Sequence, residues 1–413
     1  MVMIIDVEMI KASLMTNNLD SLNIKMNRKG FGLKDQIKDE LKFHYHSPII
    51  EEIKLDGYTK TFGNLTIHLA REFGFCYGVD RAVELAYETK KRFPDKRIFL
   101  TTEIIHNPLV NFNLQKMGVY FLSGPYQNAS LEDVTPKDVV IVPAFGTTIS
   151  LLEQLVAKKC ELVDTICASV IVVWKRVEKY AHENFTVVVH GKYFHEETQA
   201  TTSRVSVFPN GKYLVVFNEE EAQFVCDYMM QGGSKEEFYK KFSNGISHNF
   251  NPDTDLQKIG LANQTTMLSS ESLHIAHMFR EVITKKYGEE SLKDRFRSFD
   301  TICNATQERQ DAIIEFKTKK PDLIVVIGGY NSSNTNHLCE IASQIAPTYH
   351  IDRAECILSQ NEIRHKPFGK KEEMITKNWM KSESLSIGIT AGASTPNQVM
   401  GQTLERIISF RNE

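Results

Sequence analysis

The chain has 413 residues, 42% of them hydrophobic and 24% charged, with a formal net charge of −3. This length allows two to four compact units, and the acidic balance argues against affinity resting on nucleic-acid phosphates. No apolar run approaches the roughly 20 residues that span a bilayer, so neither a nucleic-acid nor a membrane partner is expected.

Residues 1 to about 65 are charged and weakly periodic, and read as a partly helical N-terminal extension. The start, MVMIIDVEMIKASLM, is apolar but interrupted by Asp6 and Glu8. It lacks a basic n-region and a small-residue cleavage site, and it is too acidic and Arg-poor for a transit peptide. The expected compartment is the cytoplasm. From Thr66 onward short apolar runs alternate with amphipathic stretches. The runs are RIFLT (97–101), DVVIVPAFG (138–146), FTVVVHGK (185–192), DLIVVIGG (322–329) and LSIGITAGAS (385–394). Near-continuous apolar strands followed by Gly- or Ser-containing turns and helices predict βα units around parallel sheets. The pattern divides into three α/β units, at 66–166, 167–302 and 303–413.

Seven cysteines are scattered singly, without a CxxC pair. That argues against a disulfide scaffold or a compact zinc module. Cys160, Cys226, Cys339 and Cys356 sit inside periodic patterns and read as small buried apolar residues. The other three differ. Asp164-Thr165-Ile166-Cys167 recurs as Asp300-Thr301-Ile302-Cys303, each copy ending a strand-like run and opening a helix. Cys76 occupies a third such junction, in IHLAREFGFCYGVDRAVELAYETKKR. Functional loops of parallel sheets gather beyond the strands' C-terminal ends, and a helix N-terminus favours thiolate over thiol. Three such thiolates could serve one metal centre. Iron–sulfur cubanes usually take four cysteines, so three would leave an iron open. A zinc site completed by a histidine is equally compatible with the spacing.

The remaining junction loops are small and polar: EIIHN (103–107), HGKYFHEET (190–198), NQTT (263–266), NSSN (331–334) and AGAST (391–395). Such residues cap helices. Together, with His106 and His195 among them, they suggest an anion site made of neutral donors at helix N-termini.

These motifs resemble the 4-hydroxy-3-methylbut-2-enyl diphosphate reductases, of the plant and cyanobacterial type, which catalyse the last step of the non-mevalonate isoprenoid pathway. The resemblance runs from about Arg28 to the end. It rests on RKGFG (28–32), GFCYGVDRA (74–82), EIIHNP (103–108), PAFG (143–146), HGKYFHEET (190–198), ANQTTML (262–268), TICNATQERQDA (301–312), GGYNSSNTNHL (328–338) and TAGASTP (390–396). It implies a trefoil of three α/β units around a 4Fe–4S cluster held by Cys76, Cys167 and Cys303. The implied reaction is reductive dehydroxylation to isopentenyl and dimethylallyl diphosphate, with the substrate hydroxyl on the open iron and ferredoxin or flavodoxin as electron donor. By the same resemblance Glu197 delivers protons, Thr265 positions the substrate hydroxyl, and His195 serves both the chemistry and the diphosphate. His106, Ser332, Ser333, Asn334 and Ser394 are the other implied diphosphate contacts.

Three positions depart from the pattern. Phe145 stands where the bacterial branch has a histidine. Ile166-Cys167-Ala168 replaces a frequent Thr-Cys-Pro. Tyr77 replaces a frequent Trp and is expected to pack as an aromatic. The competing readings are another three-cysteine iron–sulfur enzyme, such as a dehydratase acting on a hydroxy acid, and a non-catalytic metal-binding scaffold.

Overall fold

A computed structural model describes residues 26–412. Of the expected N-terminal extension, residues 1–25 lie outside the described residues. The chain divides into two compact units. Unit 1 takes 96–102 and 120–303 with the segment up to Arg28; unit 2 takes 29–95, 103–119 and 304 onward.

Unit 1 contains two sheets. The first has strand order Met26–Asn27, Glu161–Asp164, Val139–Val142, Ile98–Leu100, Val119–Phe121, and its first four strands are parallel. The second, Phe296–Ser298, Ile259–Asn263, Thr186–His190, Tyr213–Val216, is parallel throughout. Unit 2 holds Thr348–Ile351, Leu323–Ile327, Leu385–Ala391, Leu65–Leu69 and Thr59–Phe62, with only the last strand antiparallel. A separate hairpin pairs Glu362–His365 with Met374–Lys377. The α/β class with mainly parallel sheets is as the sequence predicts, and all five apolar runs contain strands.

The reason is burial on both sheet faces. Leu323, Val325 and Ile327 pack on one side with Ile351, Ile387 and Ile389, while Ile324 and Val326 meet Phe316 and Leu338 on the other. The second sheet alternates likewise: Val188 joins Leu214, Ile259 and Leu261, whereas Val187 and Val189 join Val177, Val215 and Ala262.

Where it is described, the N-terminal stretch is part of the fold rather than an appendage. Its helices Lys34–Tyr45 and Pro48–Leu55 bury Ile37, Tyr45, Ile50 and Ile53, and the last two join the main core of unit 2. The RKGFG string is tied down by charge. Arg28 Nε lies 2.7 Å from Asp164 within unit 1. Within unit 2, the buried Glu88 carboxylate accepts from Phe31 N at 2.6 Å and Leu33 N at 3.1 Å.

One buried group gives unit 2 a pH dependence. His350 is 1% exposed, and its Nε2 donates to the Gly328 carbonyl at 3.0 Å. Burial lowers its pKa from 6.5 to about 4. The unfolded chain therefore binds more protons between these values. The resulting stability is complete above pH 6.5 and is lost as pH falls toward 4, by up to about 3 kcal/mol. Urea unfolding of wild type and His350→Asn at pH 7 and pH 5 should show a stability slope smaller by about one proton in the variant. Equal slopes would exclude His350 as the titrating group.

Candidate active site

Each of the three singled-out cysteines stands at the head of a helix. Cys76 is the N-cap of Tyr77–Arg92, Cys167 is the N-cap of Ala168–His182, and Cys303 immediately precedes Asn304–Ile314. All three are partly accessible, and so is Cys160, against the expectation that it is buried, whereas Cys226, Cys339 and Cys356 are buried. Burial pushes the thiols of Cys226 and Cys339 up to about 12 and that of Cys160 up to about 11, and it raises Cys356 as well. Those four stay protonated near neutral pH.

The three junctions share one backbone device. The strand leading to each cysteine pairs in parallel with a neighbour, and the cysteine amide donates to a carbonyl two residues past that neighbour's end. Cys76 N reaches Ala393 O at 3.2 Å, Cys167 N reaches Ala144 O at 2.8 Å, and Cys303 N reaches Thr265 O at 3.2 Å. The neighbours end at Ala391, Val142 and Asn263. The repeated Asp-Thr-Ile-Cys string builds this device twice. Asp164 Oδ1 accepts from Ile166 N at 2.8 Å, and Asp300 Oδ1 from Ile302 N at 3.0 Å. Thr165 Oγ1 donates to Val142 O at 2.7 Å, and Thr301 Oγ1 to Asn263 O at 2.9 Å. The aspartate closes a tight turn, and the threonine clamps it to the neighbouring strand. At Cys76 a glycine replaces the aspartate turn. Gly74 has φ +75°, which an L side chain rarely adopts, and its carbonyl accepts from the buried Arg309 Nη2 at 2.8 Å.

In unit 1 the structure brings Glu197, Thr265 and Cys303 into one chain of bonds. Glu197 lies in the first turn of the helix Glu196–Val205 and is 3% exposed. Its Oε1 accepts from Thr265 N at 2.6 Å, and its Oε2 from Thr265 Oγ1 at 3.0 Å. The Thr265 carbonyl is the one that holds the Cys303 amide. His195 caps the same helix, its Nδ1 accepting from Glu197 N at 3.1 Å. Phe145 packs edge-on against His195, 6.2 Å between ring centres. At the Cys167 junction Ala168 simply opens the helix, and Ile166 is buried with Val142, Val170 and Trp174. A proline there would preset the same first-turn φ, so its absence leaves the junction intact. Tyr77 does not pack as expected: its side chain is 81% exposed.

Two supports were not singled out in the sequence. Gln264 joins the loops, its Oε1 accepting from Lys192 N and Thr198 Oγ1, both at 3.1 Å. Arg204 fixes the Glu197 helix to the Cys167 helix. It lies 4.0 Å from the Trp174 ring and 3.8 Å from Glu178, and burial lowers its pKa to about 10 against the pull of Glu178. Gln264 lies inside the ANQTTML string; a lone arginine among small residues (TTSRV) was the available signal for Arg204.

Unit 2 gathers the other candidates. Ser332 caps the helix Ser333–Ser343, its Oγ accepting from Thr335 N and Oγ1. Ser333 Oγ and Asn334 Nδ2 are buried without a hydrogen-bond partner. Asn334 Oδ1 accepts from Ala393 N at 3.0 Å, so the peptides flanking Ala393 tie this loop to Cys76. His106 Nδ1 sits 3.0 Å from Glu103 Oε2 and 3.2 Å from Asn331 Nδ2, and Asn331 Nδ2 donates to the same Glu103 oxygen at 2.9 Å. Ser394 Oγ donates to His106 O at 3.2 Å. Two unpaired buried donors at a helix N-terminus are what an anion requires.

Parallel sheets with cysteines hooked at the heads of helices, a buried carboxylate in unit 1 and an anion-ready helix end in unit 2 describe an α/β enzyme whose thiols suit a metal. Residues 67–408 match the family model described as LytB protein, and the chain belongs to that family. It is 49% identical over 387 residues to the 4-hydroxy-3-methylbut-2-enyl diphosphate reductase of Microcystis aeruginosa, covering 94% of this chain and 95% of that protein. It is 48% identical over 389 residues to the reductase of that name from Gloeobacter violaceus, covering 93% and 92%. The solved structure of an (E)-4-hydroxy-3-methyl-but-2-enyl diphosphate reductase superposes with a TM-score of 0.51 at 26% identity, covering 83% of this chain and 99% of that one. The fold is also that of the Plasmodium falciparum reductase structure, with a TM-score of 0.60 at 22% identity, covering 82% and 86%. Among the described residues no helix is long and apolar enough to cross a membrane.

Gly146 tests how tightly this site is packed. Its φ is +85°, and a Cβ there would lie 2.3 Å from Trp174. Gly146→Ala should destabilise unit 1 by about 2–3 kcal/mol in urea unfolding. Trp174→Leu in the same chain should recover part of that loss. A single variant as stable as wild type would show that the loop has room to shift.

Proposed function

We propose that the chain reduces 4-hydroxy-3-methylbut-2-enyl diphosphate to isopentenyl and dimethylallyl diphosphate, consuming two electrons and two protons and releasing water. The observation that carries this reading is the Glu197–Thr265–Cys303 chain, in which a buried carboxylate, a hydroxyl and a cysteine amide are joined by consecutive hydrogen bonds.

The donor set fits an iron–sulfur cluster. Soft thiolates suit iron–sulfur centres, and Cys76, Cys167 and Cys303 are the three accessible thiols at helix starts. We assign them as the ligands of a 4Fe–4S cluster with three protein ligands. When bound, the cluster supplies electrons singly and an iron without a protein ligand that can polarise the allylic C–O bond. A reducing cytoplasm suits such thiols, and ferredoxin or flavodoxin suits the need for a one-electron donor.

The chain's own residues do the rest. Glu197 stores the proton. Once protonated on Oε2, it donates to Thr265 Oγ1, and the threonine hydroxyl then turns its own proton toward the substrate oxygen. Water is excluded around the pair, which is almost fully buried. The diphosphate takes the two unpaired donors, Ser333 Oγ and Asn334 Nδ2, with His106, His195, Ser332 and Ser394 completing its surroundings. Its charge lies away from the breaking bond, so this binding orients the allyl group rather than activating it.

Glu197→Gln keeps an acceptor for Thr265 N but cannot store the proton. Anaerobic turnover should fall on the order of 10²–10⁴-fold while the visible cluster absorption stays. Undiminished turnover would displace Glu197 from this role. Cys76→Ser, Cys167→Ser and Cys303→Ser should each lower iron and sulfide content, whereas Cys226→Ala should retain both. A colourless, zinc-containing wild type without turnover would refute the reductase reading.

A further inference from the structure

Electrons must reach this site from outside the chain, and one face of unit 1 has the charge to receive a protein that carries them. A cleft of about 700 Å³ opens beside Phe296–Ser298, the edge strand of the second sheet. Arg176, Lys179, Arg280, Lys293 and Arg297 line it, against the two carboxylates Glu289 and Glu290. In a chain of net charge −3 this is a local reversal of sign. Internal pairing offsets part of that charge and leaves cations in excess. Arg176 rests on the Phe299 ring at 3.9 Å. Arg297 and Lys179 share one carboxylate, Glu183, at 3.4 and 3.9 Å. Arg280 meets Glu289 at 3.5 Å with its side chain 56% exposed. Exposed pairs of this kind contribute little, so an incoming acidic surface can replace them. Phe299, 40% exposed, offers an aromatic anchor amid the cations. The cleft on unit 2 is nearer balance, with Lys34, Lys38, Lys42 and Lys54 against Asp35, Asp80 and Glu84.

The cleft is also close to the chemistry along the chain. Phe299 is four residues from Cys303, so their Cα atoms are at most about 14 Å apart. Arg176 and Lys179 stand on the helix that Cys167 caps.

We propose that this cleft docks an acidic one-electron carrier protein. The proposal rests on the reductase reading. Each docking oxidises one reduced carrier by one electron. Two dockings supply the pair of electrons that, with two protons, breaks the allylic C–O bond, forms a C–H bond and releases water.

The test assays holoenzyme anaerobically with two donors, a reduced acidic ferredoxin and reduced methyl viologen. In Arg176→Glu/Lys293→Glu the KM for ferredoxin should rise on the order of tenfold or more, and its salt dependence should flatten. Viologen turnover and cluster absorption should match wild type. Arg176→Gln/Lys293→Gln should show a smaller rise, and it carries the test if charge reversal impairs folding. An unchanged ferredoxin KM in a variant that keeps viologen turnover overturns the proposal. So does saturable tripolyphosphate binding that the variants abolish without changing the ferredoxin KM, which would make the cleft a small-anion site. If wild type turns over with neither donor, the reductase reading fails. Salt-sensitive titration of ferredoxin onto wild type and variant still decides the docking.

Discussion

A single peptide hydrogen bond recurs at every junction that matters: a cysteine amide donating to a carbonyl just past the end of the neighbouring parallel strand. It sets where each thiol sits, because the donor belongs to the cysteine itself and the acceptor to a strand buried on both faces. A parallel pair leaves its last carbonyls without ladder partners, so they are available to capture the next element. The captured residue stands at the start of a helix, whose N-terminal partial charge favours the thiolate. The thiols are therefore accessible yet rigidly placed, which is what a metal ligand needs and a core cysteine does not.

The same bond links the Cys303 junction to the Glu197 carboxylate. Thr265 uses its carbonyl for Cys303 and both its amide and its hydroxyl for Glu197. One residue thus ties the Cys303 loop to a buried carboxylate with three bonds, none adjustable alone. Gln264 and Arg204 hold the surrounding loops in register, the first by joining strand ends and the second by coupling two helices across Trp174. Burial depresses the Arg204 pKa, Glu178 and Asp164 oppose that, and the guanidinium lies against the Trp174 indole.

Much of this was legible in the sequence, for a physical reason. Strands buried on both faces must be continuously apolar, so Val139–Val142 and Leu323–Ile327 announce themselves. The Asp-Thr-Ile-Cys echo was visible because one turn was built twice with the same side chains. The third junction solved the same problem with Gly74 and Arg309, and only its position betrayed it. Short strands such as Tyr213–Val216 and Thr348–Ile351 escaped notice; the second carries His350, whose polarity breaks the pattern although it is buried. Charged solvent-facing positions obscured Ile37, Ile50 and Ile53 in the stretch before residue 66. Tyr77 shows the opposite failure, an aromatic read as packing that lies on the surface. The roles of Glu197 and Thr265 came from resemblance, since composition cannot separate a first-turn carboxylate from a proton carrier.

The distribution of charge follows from what each surface must do. The unpaired candidate diphosphate donors of unit 2 are a hydroxyl and an amide, Ser333 Oγ and Asn334 Nδ2. Neutral donors at a helix end can bind an anion through many short bonds without the ground-state over-stabilisation that a buried lysine would add equally to substrate and transition state. Cations are placed instead in an open cleft of unit 1, where solvent screening keeps each contact weak and reversible. A substrate that must be held still meets fixed, desolvated dipoles. The proposed carrier, which would arrive, deliver one electron and leave, would meet exposed charge, which speeds encounter without prolonging residence.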